Sequence, residues 1–474
     1  MVRSRFAPSP TGQMHIGGLR SALFEYLIAK HVNGTFILRI EDTDQSRYVE
    51  GAVDVIYNSL RITGLAYDEG PDVGGGFGPY IQSERKDSYL PCANELIKKG
   101  KAYYCFCSKE RLDQLEDQQK YDRHCLGLSQ NEIDAHLAND DPFVIRQLIP
   151  EGKTTFHDEV YGDITIDHEE IEDQILIKSD GMPTYNFANV VDDHAMAITH
   201  VVRGSEYLTS TPKYNMLYES LGWKVPAYIH LPLLLSGHGG KMSKRKGDPS
   251  FQDLLDQGHL PAAIVNYVAF LGWSCPDNRE YFTLPELVEA FDIKHISKSP
   301  SLFDPKKLAW MNGEHIKRLP EDTFYNMALP TLQSAIKTPG IDLREVARLV
   351  QSRIHFVKDS IELVDFIDRL PGYDTELFTH KKMKTNAEVA LTALEAIIPI
   401  YEGIGTNDWV NESLYAAAVE CGKTLGFKNS QVLWPIRTAL SGKPSSPCGA
   451  SELCVLLGKE ESIKRLKAGA VKLA

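Results

Sequence analysis

The sequence predicts a multidomain protein. A doubly wound α/β domain with a parallel sheet is split by an insertion and followed by all-helical domains. Three observations carry this prediction. At 474 residues the chain exceeds one compact core and has room for about two to five domains. Its first forty or so residues read strand, turn, helix, strand. From about Leu319 onward helical periodicity takes over and β-rich runs thin out.

Residues 2–7 read as a short strand. After a Pro/Gly turn, Leu19, Ala22, Leu23, Tyr26 and Leu27 recur at helical spacing, which starts a helix near Gly18. Residues 35–40 are β-rich and form the next strand. A second group, strands at 197–202 and 228–235 around a helix at 212–221, belongs to the same sheet. The mixed, charged segment 83–185 between the groups is the insertion. In the C-terminal part, 343–357 and 387–401 are helices, and the texture divides into two helical domains.

Composition is that of an ordinary globular protein, 43% apolar and 24% charged. Arg3, Arg5 and two prolines interrupt any secretory stretch at the N-terminus, and the richest apolar run, 261–273, is too short to span a bilayer. Eight scattered cysteines fit a reducing, cytoplasmic setting. The net charge of −13 argues weakly against a nucleic-acid partner, yet local basic clusters exist at 241–246, 294–307, 380–384 and 464–472. Taken singly, each cluster reads as a solvated face.

Two motifs carry phosphate chemistry. The first runs Pro8-Ser9-Pro10-Thr11-Gly12-Gln13-Met14-His15-Ile16-Gly17-Gly18. A helix N-terminus there offers unpaired N–H groups, the glycines admit a ligand to the backbone, and His15 can donate to a phosphate oxygen. The alternative is a tight loop with His15 a bystander. The second, Lys241-Met242-Ser243-Lys244-Arg245, follows His238-Gly239-Gly240 and brings three cations to a pliable loop. They can clamp a triphosphate and stabilise a leaving pyrophosphate, or they are a solvated basic loop. This is no Walker loop, since Leu235 and Met242 stand where Gly and Ser or Thr are needed. The Gly74–Gly78 loop fails the dinucleotide spacing at Pro79. Cys105 and Cys107, with the later Cys125, make a candidate tetrahedral zinc site, or else reduced structural thiols.

The two motifs in this order resemble the HIGH and KMSKS signatures of class I aminoacyl-tRNA synthetases. Arg5-Phe6-Ala7-Pro8-Ser9-Pro10-Thr11-Gly12 and Arg39-Ile40-Glu41-Asp42-Thr43-Asp44 narrow the resemblance to the glutamyl/glutaminyl branch. Gly70-Pro71-Asp72-Val73, Ser179-Asp180-Gly181-Met182-Pro183-Thr184-Tyr185, Val190-Val191-Asp192-Asp193-His194, Trp310-Met311-Asn312-Gly313 and Pro435-Ile436-Arg437-Thr438-Ala439-Leu440-Ser441-Gly442 look like the bacterial-type glutamyl-tRNA synthetases. The similarity covers essentially the whole chain. Gly18 replaces the final His of the class motif, as is usual in the glutamyl group, and KMSKR replaces KMSKS.

The resemblance implies a Rossmann-like catalytic domain at 1–82 and 186–237 and an inserted acceptor-stem-binding domain at 83–185. It also implies a stem-contact domain with the KMSKR loop at 238–318 and helical anticodon-binding domains at 319–372 and 373–474. Glutamate would be held by Arg5, Ala7, Ser9, Glu41, Tyr185, Asn189 and Arg203. Charge supports this choice, because two carboxylates and an ammonium call for guanidinium partners and one acid. ATP would lie along Pro8, Thr11, Gly12, His15, Gly17, Gly18, Glu206, Leu234, Lys241, Met242, Ser243, Lys244 and Arg245. Of these, His15, Lys241, Lys244 and Arg245 would be catalytic, together with Mg²⁺. Glutamate would attack the ATP α-phosphate to give glutamyl-adenylate and pyrophosphate, and the 2′-OH of the terminal tRNA adenosine would then take the glutamyl group. Enzymes of this branch typically need tRNA present for activation.

Some relatives hold zinc with a His two residues after the last Cys. Gly127 stands there, so His124 or Tyr121 would serve as fourth ligand, with Tyr121–Cys125 spacing like that of shorter glutamyl-queuosine relatives. Arg353 falls where the family accepts glutamate anticodons, with Trp434 and Arg437 as further anticodon candidates. The partners implied are tRNA(Glu), L-glutamate and ATP, for a cytoplasmic monomer with no membrane association. Three other readings are a non-discriminating enzyme that also charges tRNA(Gln), a relative that glutamylates a modified tRNA base, and a non-catalytic tRNA-binding paralogue.

Overall fold

The computed structural model describes residues 1–44, 47–115, 121–242 and 247–474. It divides into two compact units, residues 1–257 with 261–308 and residues 258–260 with 309–474. In the first unit the strands β1 (Arg3–Phe6), β2 (Thr35–Leu38), β3 (Ala102–Cys105), β4 (Val144–Gln147), β5 (Lys153–Asp158), β6 (Gly162–Asp167), β7 (Ile175–Ile177), β8 (His200–Gly204) and β9 (Ala227–Leu231) follow in chain order.

β1 and β2 pair in parallel, Arg3 opposite Thr35 through Phe6 opposite Leu38. The crossover between them is helix α1 (Ile16–His31). Leu19, Leu23, Phe24 and Leu27 are all fully buried, and Arg20 and Glu25 are buried beside them, so α1 is an interior helix rather than an amphipathic one. The return to β2 is tight. A Cβ on Gly34 would sit 2.5 Å from the carbonyl oxygen of Val2, so only glycine fits. β8 runs beside β1, with Thr199 donating to the Arg3 carbonyl at 2.9 Å, and pairs in parallel with β9 across the helix Thr211–Leu221.

The sheet is not wholly parallel. β5 pairs in parallel with β9 through Asp158 and Tyr228 and antiparallel with β6, so a hairpin from the expected insertion extends the β8–β9 sheet. The buried Asp158 carboxylate makes the join. It accepts from the Val160, Tyr161 and His230 N–H groups and pairs with His230 Nδ1 at 2.7 Å. The rest of the insertion is a separate antiparallel sheet, β3-β4-β7, packed under the helix Tyr89–Lys98 through Tyr89, Leu96, Ile145 and Leu176.

Several boundaries differ from the sequence reading. α1 starts at Ile16 rather than near Gly18, because a side-chain cap satisfies the first turn despite its two glycines. The strand expected at 197–202 starts at His200, since Ala197 takes a left-handed φ of 53° closing the helix Tyr185–Ala195. The run 228–235 breaks at Pro232, and Leu234–Leu235 pairs instead with Ser301–Leu302. The helix expected at 343–357 stops at Val350. Gln351 then donates to the Ile316 and Leu319 carbonyls, and Asn312 donates to the His355 carbonyl, which hold the chain off the helical path.

The second unit is helical. Phe324, Leu332, Val350, Phe366, Phe378, Leu394, Ile436 and Leu466 belong to one apolar core that runs through both segments expected as separate helical domains. Arg465, on the helix Lys459–Leu473, stitches them together by donating to the buried carbonyls of Phe366, Ile367 and Leu440.

Candidate active site

The turn between β1 and α1 forms one wall of a cavity of about 570 Å³. His15 is the N-cap of α1, with extended backbone, and its Nδ1 accepts from the Gly17 N–H at 3.0 Å. Accepting at Nδ1 leaves the proton of a neutral imidazole on Nε2, which makes that nitrogen a donor. Phe251 N–H donates to the Met14 carbonyl, and His15 bridges Ser250, so the segment after the second motif pins the first. Gly17 and Gly18 line the cavity beside Pro8, Thr11 and Gly12. The opposite side carries Glu206, Leu234, Lys241 and Met242. Gly239 and Gly240, both at positive φ, close a hairpin that bridges Leu235 to Lys241. Lys241 Nζ rests 2.7 Å from Glu206 Oε1, an exposed pair. Ser243, Lys244 and Arg245 lie outside the described residues.

Deeper in the same cavity are Arg5, Ala7, Ser9, Tyr185 and Arg203. Arg5 is buried and fully oriented. Its Nε donates to Asp193 at 2.9 Å, Nη1 to Glu25 at 3.1 Å and Nη2 to Asn189 at 3.0 Å. Arg203 faces the rings of Tyr214, Tyr228 and Tyr207 at 4.5, 5.4 and 5.6 Å, and its Nε has no hydrogen-bond partner among the described residues. Glu41 Oε1 accepts from Arg39 and Asn189, whereas Oε2 has no partner among the described residues. Burial raises the Glu41 carboxyl above its usual range, against the pull of Arg39 and Arg5. Glu41 opens onto an adjoining cavity of about 460 Å³ that shares Ala7, Ser9, Thr11, Tyr185 and Tyr207 with the first. Asn189 lines neither cavity, because its amide bridges Arg5 to Glu41.

Three members of this charged cluster were not singled out as site residues from the sequence. Asp193 Oδ1 accepts from both Arg5 and Arg39, and although burial opposes its ionisation, the two guanidinium groups bring its pKa below the usual value. Arg39 is completely buried and joins Asp193 to Glu41. Glu25 sits on α1, and burial pushes its carboxyl up to about 8 despite the Arg5 guanidinium. The signal for Glu25 was an acid inside an otherwise apolar helical run; Arg39 and Asp193 lay within motifs already recognised.

A family model described as the catalytic domain of class I tRNA synthetases (E and Q) matches residues 1–310. The chain belongs to this family. A second model, an anticodon binding domain, matches residues 323–470 of the synthetase. Among similar curated proteins are a glutamate--tRNA ligase of Clostridium botulinum, 56% identical over 99% of this chain and 98% of its own length, and one of Clostridium novyi, 56% identical over 100% and 98%. Among solved structures, a glutamate tRNA ligase from Elizabethkingia meningosepticum in complex with its amino acid is 33% identical, with a TM-score of 0.85 and full coverage of both chains. Glutamate-tRNA synthetase from Elizabethkingia anophelis is 32% identical with a TM-score of 0.86, covering 99% of each chain.

The synthetase brings three of its thiols together. The Cys105, Cys107 and Cys125 sulfurs lie within 4.8 Å of one another, and Cys107 and Cys125 are 3.5 Å apart. Sulfurs about 2.3 Å from one zinc ion lie about 3.8 Å apart at the tetrahedral angle, so the cluster fits that ion. Tyr121 Oη is 3.3 Å from Cys105 and 3.4 Å from Cys107, in the place of a fourth ligand. His124 is exposed and stands outside the cluster.

In the helical unit Arg353 is exposed on the short turn Gln351–Arg353, held by the neighbouring Asn312–His355 bond. A Cβ on Gly313 would meet His355 Nδ1 at 2.5 Å, which explains the glycine of the Trp310–Gly313 motif. Trp434 donates to the Leu377 carbonyl, packs on His380 at 4.2 Å and carries the Arg437 guanidinium 4.2 Å above its ring. Burial lowers the Arg437 pKa to about 10.

Proposed function

We propose that the chain attaches L-glutamate to tRNA(Glu) in two steps, forming glutamyl-adenylate from glutamate and ATP and then transferring the glutamyl group to the terminal adenosine. One observation carries the reading. Two buried guanidinium groups line a cavity whose outer wall is a His-capped helix N-terminus, and a buried carboxylate with an open oxygen faces the cavity that adjoins it. Arg5 and Arg203 bind the side-chain carboxylate, and Glu41 Oε2 accepts from the ammonium. The α-carboxylate then points toward the phosphates at the α1 terminus. The N–H groups there, the His15 Nε2–H and Lys241 favour the charge that builds on the phosphates. Mg²⁺ accompanying ATP would supply further positive charge to these phosphates. Ser243, Lys244 and Arg245 follow Lys241 in the sequence, and the two cations would add to the clamp.

The adjoining cavity gives the terminal adenosine access to the activated carbonyl past Ser9 and Tyr185. Arg353, Trp434 and Arg437 read the anticodon, and Arg353 makes the enzyme discriminating, charging tRNA(Glu) over tRNA(Gln). Cys105, Cys107, Cys125 and Tyr121 would hold a structural zinc ion that ties β3 to the turn at Cys125. All eight cysteines are free, which supports a reducing, cytoplasmic setting, and the protein acts as a monomer. No helix among the described residues is long and apolar enough to cross a membrane.

Glutamate-dependent exchange of pyrophosphate into ATP, measured with and without tRNA, tests the activity. No exchange under either condition would defeat the enzyme reading. Side-by-side charging of purified tRNA(Glu) and tRNA(Gln) tests discrimination, and Arg353→Gln is expected to shift the ratio toward tRNA(Gln). An unchanged ratio would remove Arg353 from that role.

A further inference from the structure

We propose, resting on the glutamate-activating reading, that Glu25 is a positioning residue whose carboxylate on α1 sets the spacing between the Arg5 and Arg203 guanidinium groups. Its Oε1 accepts from Arg5 Nη1 at 3.1 Å and from the backbone N–H of Val202 at 2.9 Å. Arg5 lies on β1, and Val202 immediately precedes Arg203 on β8. One acceptor atom therefore fixes both strands that present the substrate's cationic partners.

The other partners of Arg5 do different work. Asp193 and Asn189 come from the helix Tyr185–Ala195 and set the tilt of the guanidinium plane, through Nε and Nη2. Glu25 joins Arg5 to β8. Its side chain is only 1% exposed, and Ser4 Oγ donates to the Glu25 carbonyl at 2.8 Å, so α1 is locked to β1 at this level. Glu25 nevertheless lines the cavity, and its Oε2 has no hydrogen-bond partner among the described residues. A buried acid placed there keeps two like-charged groups at a set separation before substrate arrives, which saves reorganisation when the carboxylate binds.

Length and ionisation can be separated by two conservative variants. Glu25→Gln keeps the reach of Oε1 and its acceptor capacity and cannot ionise. Glu25→Asp keeps an ionisable carboxyl but withdraws the oxygens by about 1.5 Å, one carbon–carbon bond. In pyrophosphate exchange with tRNA present, Glu25→Asp is expected to raise the KM for glutamate by about tenfold or more, with the KM for ATP within about twofold of the unsubstituted protein. Glu25→Gln should stay within about threefold on both. The reverse order, equal effects of the two variants, or parallel changes in both KM values would overturn the inference while leaving the activity intact. No exchange by the unsubstituted protein would overturn the activity reading, and this inference with it.

Discussion

Replacing Asp193 by alanine should loosen the floor of the cavity at Arg5 by about 4 kcal/mol. The figure comes from two charge-assisted hydrogen bonds made by a single oxygen, Oδ1, to Arg5 at 2.9 Å and to Arg39 at 2.8 Å. A hydrogen bond to a charged group contributes about 1.5–3 kcal/mol, and removing one partner of a buried ion pair costs about 3–5 kcal/mol. Both routes meet near the same value, because Arg5 keeps Glu25 and Asn189 and Arg39 keeps Glu41. Asp193→Asn retains an acceptor and loses the charge, for about 2 kcal/mol. Amide hydrogen exchange resolved at β1 and β8 reads this locally, which suits a chain of two compact units. Alanine should accelerate exchange of the protected amides by about a thousandfold, and asparagine by about thirtyfold. Protection equal to that of the unsubstituted protein in Asp193→Ala, or equal loss in the two variants, would refute the reasoning.

Three further outcomes follow from the same structure. The two carboxylates on Arg5 link stability to pH with opposite sign. Glu25, facing Arg5, Asp193, Ser4 and the Val202 N–H, has its pKa raised from 4.5 to about 8, so its contribution is complete below 4.5 and is lost as pH rises to about 8. Asp193 is depressed below 3.8, so its contribution holds above that value and is lost as pH falls through the lower folded value. Stability measured against pH should thus favour Glu25→Gln progressively across the upper window, and a difference from the unsubstituted protein that stays flat there would contradict this. Metal analysis of protein purified without added zinc should give a stoichiometry near one that falls in Cys107→Ser, whereas a value near zero in both would remove the zinc assignment. Arg465→Ala strands three buried carbonyls and should cost the helical unit about 3 kcal/mol or more, read by thermal or urea unfolding.

How much of the fold could be read from the sequence depended on how local its determinants were. The crossover from β1 through α1 to β2 follows from periodicity within one short stretch, with the strand ends shorter by one or two residues and α1 starting two residues earlier than its periodicity predicts. Its two glycines argue against helix, whereas the cap that overrides them is a single nitrogen on His15. The end of the helix at Val350 was missed for the opposite reason. Nothing between 351 and 357 breaks a helix by propensity; Asn312, 43 residues away from His355, does it by taking the carbonyl. The β5–β6 hairpin was assigned to the insertion because it is, in chain order. Its place in the sheet rests on the Asp158 carboxylate reaching His230, 72 residues on.

The site divides along the same line. The bond from Gly17 to His15 spans two residues, and the turn between β1 and α1 is visible as a motif. The bonds that aim Arg5 span 20, 184 and 188 residues, so charge counting could name Arg5, Glu41 and Arg203 as complements to glutamate but could not say what holds them. That work falls to two buried acids, Asp193 and Glu25. In a sequence, an acid that positions an arginine looks the same as one that merely neutralises it. The distinction lies in what else the oxygen touches: Glu25 Oε1 also accepts a backbone N–H of the neighbouring strand, and a counter-ion alone has no reason to do so.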